Sequence, residues 1–277
     1  MTTYAIAVGV ADVRRDPDPA SELVTQALMH VPARGGDVSG EWTHVVLPDY
    51  EGWVRTDQLA EPAVKGFTKI GVSCATPLDL VAVIMATHAP LFADVTGDEA
   101  LDTVYLSTVL PLLDTTQSRL QVALPGDVSG WLARGSAVVR RGSEAFPPSP
   151  ISLITTYARA FVGVPYLWGG TSWRGIDCSG FVQLCYRMGG YMLPRDADQQ
   201  YDALTQSVER SSMQEGDLIF FGHPSITHVG MALNQKEFIH AEGQDFHRVI
   251  IHSLDAADEH YHRRLDELVY GIKRVVS

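Results

Sequence analysis

Cysteine is scarce in this chain: Cys74, Cys178 and Cys185 are the only three among 277 residues. Their odd number and the lack of any CxxC pair exclude a disulfide framework and a thiolate zinc site, and fit a reducing compartment. Positive charge is scarce as well. The chain has 21 Lys and Arg against 33 Asp and Glu, a net charge of −12, and no basic run. That balance excludes a phosphate-tracking surface, so neither nucleic acid nor an anionic membrane is an expected partner. Long hydrophobic runs are missing too. The apolar stretch in "MTTYAIAVGVADVRRDPD" is too short, and too soon followed by charges, for a signal h-region or a membrane span. The expected location is cytoplasmic.

What is present is length enough for two or three domains, each with its own core. Residues 1 to about 145 carry short apolar runs, Thr and turn residues without a helical period. The Pro-rich "GSEAFPPSP" (142–150) then gives way to helical and strand patterns, which places a boundary there. Inside the first part, "VVLPDYEGWVRTDQL" (45–59) is echoed by "QVALPGDVSGWLARGSAV" (121–138). Each reads as strand, Pro turn, Gly-Trp and strand, so the expectation is two small all-β barrels, at 1–62 and 63–145. Trp53 and Trp131 are read most simply as barrel core.

The remaining segment, 146–277, reads as α+β. "SPISLITTYARAFVG" predicts a helix with Ser149 as N-cap and Ile151, Ile154, Ala158 and Phe161 on one face. A second helix is expected from Cys178, with Phe181, Val182, Leu184, Cys185 and Met188 as its apolar stripe and Gly189-Gly190 as its stop. Strands are expected at "DLIFFG", "HVGMAL", "EFIHA", "RVIIHSL" and "LVYGIKRVV".

The second helix carries the chemistry. A sulfur at a helix start meets unpaired N–H groups and the positive end of the helix dipole, which are expected to lower the thiol pKa toward neutrality. Asp177 is placed to cap that helix, and Gly180 to permit close approach. Cys185 and Cys74 read as structural. A nucleophilic Cys needs a base, and the base an orienting group. With a tight turn around Leu233-Asn234-Gln235, His228 and His240 are expected directly opposite one another on paired strands. Gly230 and Ala232 on the same face are expected to admit the cysteine helix. A metal site using His228, His240, His247 or His252 lacks HExxH spacing and an evident carboxylate partner, so no metal or other cofactor is expected.

Together "PYLWGG", "DCSGFVQ", "GDLIFF", "HVGM" and "FIHA" resemble, in that order and at these separations, the NlpC-type cell-wall cysteine peptidases. The resemblance covers about residues 150–277 and implies a papain-like fold. It further implies Cys178 as nucleophile, His228 as general base and acid, His240 as its orienting partner, and the Cys178 N–H with the Tyr166 hydroxyl as oxyanion donors. "LPRDADQQ" (193–200) is similar to the family's segment after the cysteine helix.

The Gly-Trp modules resemble bacterial SH3-like domains. This combination is similar to the γ-D-glutamyl-L-diamino-acid endopeptidases, which cut peptidoglycan stem peptides carrying a free N-terminal L-Ala. An ammonium in a cleft needs carboxylates, and Asp177 and Asp196 are nearest the motif. Each reads equally well as a plain cap or loop residue. Ser179 and Trp168 are expected to complete the pocket, and Tyr50 to reach it from the first module. The expected partner is a stem peptide of the form L-Ala-γ-D-Glu-diamino acid. Two other readings stand beside this one: an amidase or acyltransferase on another γ-glutamyl or lipid substrate, and a non-enzymatic wall-binding adaptor.

Overall fold

The structure, a computed structural model, describes residues 2–63 and 79–276, so Cys74 lies outside the described residues. The chain divides into two units, Met1–Ala145 and Phe146–Ser277.

Among its described residues the first unit is all β apart from 3-10 turns. Its opening strands are β1 (Thr3–Ile6), β2 (Val10–Arg14), β3 (Leu23–Leu28), β4 (Pro32–Ser39), β5 (Trp42–Val46), β6 (Glu51–Arg55) and β7 (Leu59–Ala60). They pair in the order β3-β2-β6-β5-β4-β1-β7. A second set follows: β8 (Leu80–Ile84), β9 (His88–Phe92), β10 (Ala100–Tyr105), β11 (Val109–Thr115), β12 (Arg119–Leu124), β13 (Val128–Ala133) and β14 (Ala137–Arg141). Its order, β10-β9-β13-β12-β11-β8-β14, is the first with every number raised by seven. The weak sequence echo therefore marks a duplicated topology.

The Gly-Trp pairs sit at the same place in both copies, on β6 and β13, but their tryptophans are not core. Trp53 and Trp131 are half-buried, whereas the next residues, Val54 and Leu132, are fully buried. Alternation along a strand makes this inevitable, because one face takes the glycine and the aliphatic residue and the other takes the indole. The indole that is buried belongs to Trp42 on β5. Gly52 and Gly130 admit a close neighbour. A Cβ on Gly52 would lie 2.7 Å from the Arg14 carbonyl oxygen, and one on Gly130 2.8 Å from Leu91 Cδ1. Within this unit the two barrels pack together: Met29 of the first joins the apolar cluster of the second, and Asp102 accepts a 2.7 Å hydrogen bond from the Gly9 amide.

The second unit sets helices α1 (Ile151–Ala160), α2 (Cys178–Met188), α3 (Ala197–Ala203) and α4 (Arg263–Glu267) around one sheet. A short hairpin, β15 (Thr171–Ser172) with β16 (Gly175–Ile176), leads into α2. The main strands are β17 (Gln206–Ser207), β18 (Leu218–Phe221), β19 (His228–Ala232), β20 (Glu237–Glu242), β21 (Arg248–Ser253) and β22 (Val269–Arg274). They run β17-β22-β18-β19-β20-β21, antiparallel throughout. The C-terminal strand inserts between β17 and β18, and the other main strands follow in chain order.

Helix α2 is the centre of this unit, with nine of its eleven residues buried. Helix α1 packs on it so tightly that a Cβ on Gly189 would fall 2.4 Å from Ile154 Cγ1. The N-cap of α1 is Pro150, not Ser149, whose hydroxyl turns back to the Pro147 carbonyl at 3.0 Å. Proline serves because its missing N–H costs nothing at a helix start.

The glycine contacts distinguish the two barrel copies. Gly52→Ala drives a Cβ into backbone, whereas Gly130→Ala meets only side chains, those of Leu91 and Leu124. Gly52→Ala is expected to lower the stability of the first unit by about 1–3 kcal/mol and Gly130→Ala by less. Urea titration followed by tryptophan fluorescence measures both.

Candidate active site

Asp177 organises the entry to α2. Its extended backbone makes it the N-cap, and Oδ1 accepts from the Gly180 amide at 2.7 Å, as expected of an Asp at that position. Oδ2 accepts from the Gly169 amide at 3.0 Å, so the same carboxylate pins the "YLWGG" turn to the helix start. Gly169 takes φ +74°, and a Cβ on Gly170 would meet the Gly175 carbonyl oxygen at 2.4 Å, which is why two glycines stand there. Gly180 is equally constrained, 2.5 Å from the Gly170 carbonyl oxygen if given a Cβ.

Arg195 completes the arrangement. Its guanidinium donates to both oxygens of Asp177, at 3.0 and 2.5 Å, and to Ser179 Oγ at 2.9 Å. Ser179 in turn donates to Asp177 Oδ1 at 3.3 Å. The arginine is 1% exposed and Asp177 7%. Asp177 thus accepts from two backbone amides, a bidentate arginine and a hydroxyl, which fills the lone-pair sites of a carboxylate. Its charge is committed inside the protein. Asp177 and Ser179 thus form, with Arg195, a buried brace at the helix start.

Cys178 is the first residue of α2, and its sulfur feels the amide of Val229, immediately after His228 on β19. Burial pushes its thiol up to about 12, and the Asp177 carboxylate adds to the rise. The Val229 amide, Arg195 and the Ser179 amide work in the other direction without prevailing. The expected drop toward neutrality is thus overturned: desolvation of a sulfur held at 7% exposure outweighs the helix start. Cys185, fully buried one helical face deeper, is raised further by burial and is core.

His228 Nε2 lies 2.8 Å from His240 Nδ1. The two are not directly opposite. Met231 pairs with Ile239 and Ala232 with Phe238, a register that sets Gly230 across from His240 and Glu242 across from His228. The turn lies one residue further along than expected, closed by the Leu233 amide on the Glu237 carbonyl, with Asn234 Oδ1 accepting from the Lys236 and Glu237 amides. The two imidazoles meet diagonally. A register change of two residues leaves every side chain on its face, which preserved the pair despite the wrong turn. Gly230 makes room for this, though not for the cysteine helix: a Cβ there would lie 2.9 Å from Phe238 Cδ2 and 3.3 Å from His240 Cβ.

Burial lowers the pKa of His228 to about 4 and that of His240 well below its usual value, with neighbouring imidazoles adding to the effect on His240. Cys178 and His228 accordingly rest as a neutral thiol and a neutral imidazole. With Nε2 tied to His240, Nδ1 is the nitrogen of His228 left to take a proton.

The other expected residues are spread around this centre. Tyr166, half-buried, is raised by burial and by the nearby Cys178 and Asp177, so its phenol stays a donor. Its ring is seated on Gly243, where a Cβ would clash at 2.7 Å, and its amide bonds the His247 carbonyl at 2.8 Å. Trp168 is 59% exposed beside it in the chain. Asp196 is half-buried at the start of α3, with a 3.4 Å hydrogen bond from Gln199. Tyr50 belongs to the first unit, packed half-buried on the core of the first barrel.

Three residues of this neighbourhood escaped sequence reasoning. Arg195 had a signal in its place beside Asp196, but nothing local announced its partner. Glu242, directly after "IHA", accepts from the amides of Gln244, Asp245 and Phe246 at 2.8, 2.9 and 2.6 Å and shapes the turn under Tyr166. Partial burial works against ionisation there, yet the three amides hold it below the usual carboxylate range. His252, weighed only as a metal ligand, stands 2.9 Å from His240. Among the described residues no group of three His, Cys, Asp or Glu side chains is arranged for a metal ion.

Comparison with known proteins agrees with this geometry. Residues 163–265 match the NlpC/P60 family, and residues 13–59 match the bacterial dipeptidyl-peptidase Sh3 domain. A γ-D-glutamyl-L-lysine dipeptidyl-peptidase of Bacillus cereus is 31% identical over 239 residues, 80% of this chain and 68% of that one. A protein of the same name from Bacillus subtilis is 31% identical over 220 residues, 73% of this chain and 66% of that one. The chain therefore spans about two thirds of the length of these relatives. Dipeptidyl-peptidase 6 of Lysinibacillus sphaericus is 27% identical over 98% of both chains. A crystal structure of an NlpC/P60 family protein from Bacillus cereus shares the fold over the full length of both chains, with a TM-score of 0.84 at 24% identity. The α+β expectation, SH3-like barrels ahead of a papain-like unit, is the fold this likeness shows. A buried thiol at a helix start, an imidazole pair across two strands and relatives matched along most of the chain lead to one assignment: this chain belongs to the NlpC/P60 family of cysteine peptidases.

Proposed function

We propose that this peptidase hydrolyses the γ-D-glutamyl–diamino acid bond of peptidoglycan stem peptides and requires a free N-terminal L-Ala, releasing a dipeptide. The observation that carries the reading is the Cys178, His228 and His240 string in a chain that also holds the Sh3 module of its dipeptidyl-peptidase relatives. Recycling of wall peptides in the cytoplasm is part of the same proposal.

In this mechanism Cys178 Sγ attacks the γ-carbonyl carbon as its proton passes to His228 Nδ1. The oxyanion is met by the Cys178 amide, one of the N–H groups a helix start leaves unbonded, and by the Tyr166 phenol. His228 then gives its proton to the departing amine, leaving L-Ala-γ-D-Glu as a thioester. Water, deprotonated by His228, cleaves that thioester and restores the thiol. His240 holds His228 through Nε2 throughout. The substrate ammonium is assigned to Asp196, because the charge of Asp177 is already matched by Arg195. Trp168, with its exposed indole, supplies a wall to the pocket.

The tripeptide L-Ala-γ-D-Glu-L-Lys is expected to be cut to L-Ala-γ-D-Glu and lysine, its N-acetylated form at least a hundredfold more slowly, and neither by Cys178→Ala. Mass spectrometry of the products measures all three. Equal cleavage of the acetylated form would remove the free-amine requirement, and no cleavage of either would remove the substrate assignment.

The resting protonation states set a second expectation. With the thiol near 12 and His228 near 4, iodoacetamide alkylation of Cys178 rises steadily with pH through pH 9, without the plateau at pH 5–7 that a thiolate–imidazolium pair gives. The Cys178→Ala variant supplies the blank. Arg195→Met leaves the Asp177 carboxylate buried and unmatched beside the sulfur. Urea unfolding should show a loss of about 3–5 kcal/mol, and alkylation should slow further.

A further inference from the structure

The imidazole string does not stop at His240. His240 Nε2 lies 2.9 Å from His252 Nδ1. The three histidines stand twelve residues apart on three neighbouring strands, β19, β20 and β21, and meet along one diagonal of the sheet. On β21, His252 pairs across from Phe238, and Ile250 across from His240, so the second step repeats the geometry of the first. Both inner rings are enclosed: His240 is 0% exposed and His252 7%.

Hydrogen bonding along such a string fixes every tautomer. Neutral imidazole has one N–H and one acceptor nitrogen. For His228 to accept the thiol proton on Nδ1, its own proton sits on Nε2 and is donated to His240 Nδ1. His240 then carries its proton on Nε2, and a donor buried at 0% exposure needs an acceptor within the protein. His252 Nδ1 is that acceptor. Were His240 protonated on Nδ1 instead, it would face the Nε2 of His228 as a donor, push the His228 proton onto Nδ1, and leave the sulfur without a base.

We propose that His252 is a positioning residue for the hydrolysis, acting through His240 to hold His228 in the tautomer whose Nδ1 is free to take the Cys178 proton. This rests on the catalytic reading above for its effect on rate, but not for the tautomers themselves. The groups around His252 are compatible with a neutral acceptor. His240 and Glu242 reach it from β20, and His260 and His262 from the segment leading into α4. His262 stands with its ring centroid 4.7 Å away and is itself engaged through Nδ1 as acceptor for the Leu265 amide. The rings of Phe238 and Phe246 pack at 6.4 and 5.1 Å.

Nitrogen-15 NMR of the imidazoles in the unaltered protein at pH 7 tests the arrangement directly. The expected pattern is N–H at Nε2 and an acceptor signal at Nδ1 for His228, His240 and His252 alike; a proton on His252 Nδ1 would overturn the proposal. Steady-state kinetics on L-Ala-γ-D-Glu-L-Lys supplies the second arm. His252→Phe keeps a flat ring but no acceptor and is expected to lose at least tenfold in kcat with KM unchanged. His252→Asn, whose Oδ1 can replace Nδ1, is expected to stay within threefold of the original. An Asn variant as impaired as the Phe variant, or a Phe variant at full rate, would sink it. If the unaltered protein leaves the peptide intact, the substrate assignment falls, and the NMR pattern still decides the tautomers.

Discussion

A carboxylate buried next to the nucleophile is the constraint around which the second unit is built. Asp177 ties together the glycine turn, the first turn of α2 and the segment before α3, because its two oxygens accept from Gly169, Gly180 and Arg195 at once. Such a group is costly on its own: a buried charge is stable only when paired and fully hydrogen-bonded. It also opposes ionisation of the sulfur one residue away. Arg195 answers both problems, since a fork of parallel N–H donors matches the carboxylate and places positive charge near the thiol. The brace locates Cys178 at the cost of making its anion harder to form.

The histidines show how sheet geometry turns a sequence pattern into a site. One small residue, Gly230, lies across from His240 and leaves the space that Phe238 and His240 occupy. The rings then lean along the diagonal to reach one another. Repetition of the same offset on the next pair of strands brings His252 to His240 and extends a pair into a string. Because each step is set by backbone register, the string is as rigid as the sheet, and no loop has to be held in place to maintain it.

Much of this was legible in the residues. The α2 boundaries, the Asp177 cap and five of the six main strands follow from periodicity and capping, and the duplicated barrel topology from a faint echo around two Gly-Trp pairs. Facing of His228 and His240 survived an error in the turn because side-chain alternation tolerates an even shift. Pairings distant in sequence were not legible. Asp177 and Arg195 are eighteen residues apart with no helical or strand period linking them, and β22 inserts beside β18 without any local sign. The state of the thiol was misread for a related reason: a helix start is visible in a sequence, whereas the desolvation that outweighs it is a property of the packed surroundings.

The resting state bears on how the reaction can run. Burial raises the Cys178 thiol and lowers the His228 imidazole, so moving the proton between them before any bond to carbon forms runs uphill. In the proposed mechanism proton transfer coupled to attack avoids that, because negative charge then develops on the carbonyl oxygen, where the Cys178 amide and the Tyr166 phenol would meet it, and not on a desolvated sulfur. Positive charge develops at the same moment on His228, whose Nε2 would donate along the proposed string to His240 and His252. Catalysis in this site therefore depends on donors and acceptors arranged in advance around charges that appear only during the reaction, and the neutral thiol is the condition that makes their arrangement matter.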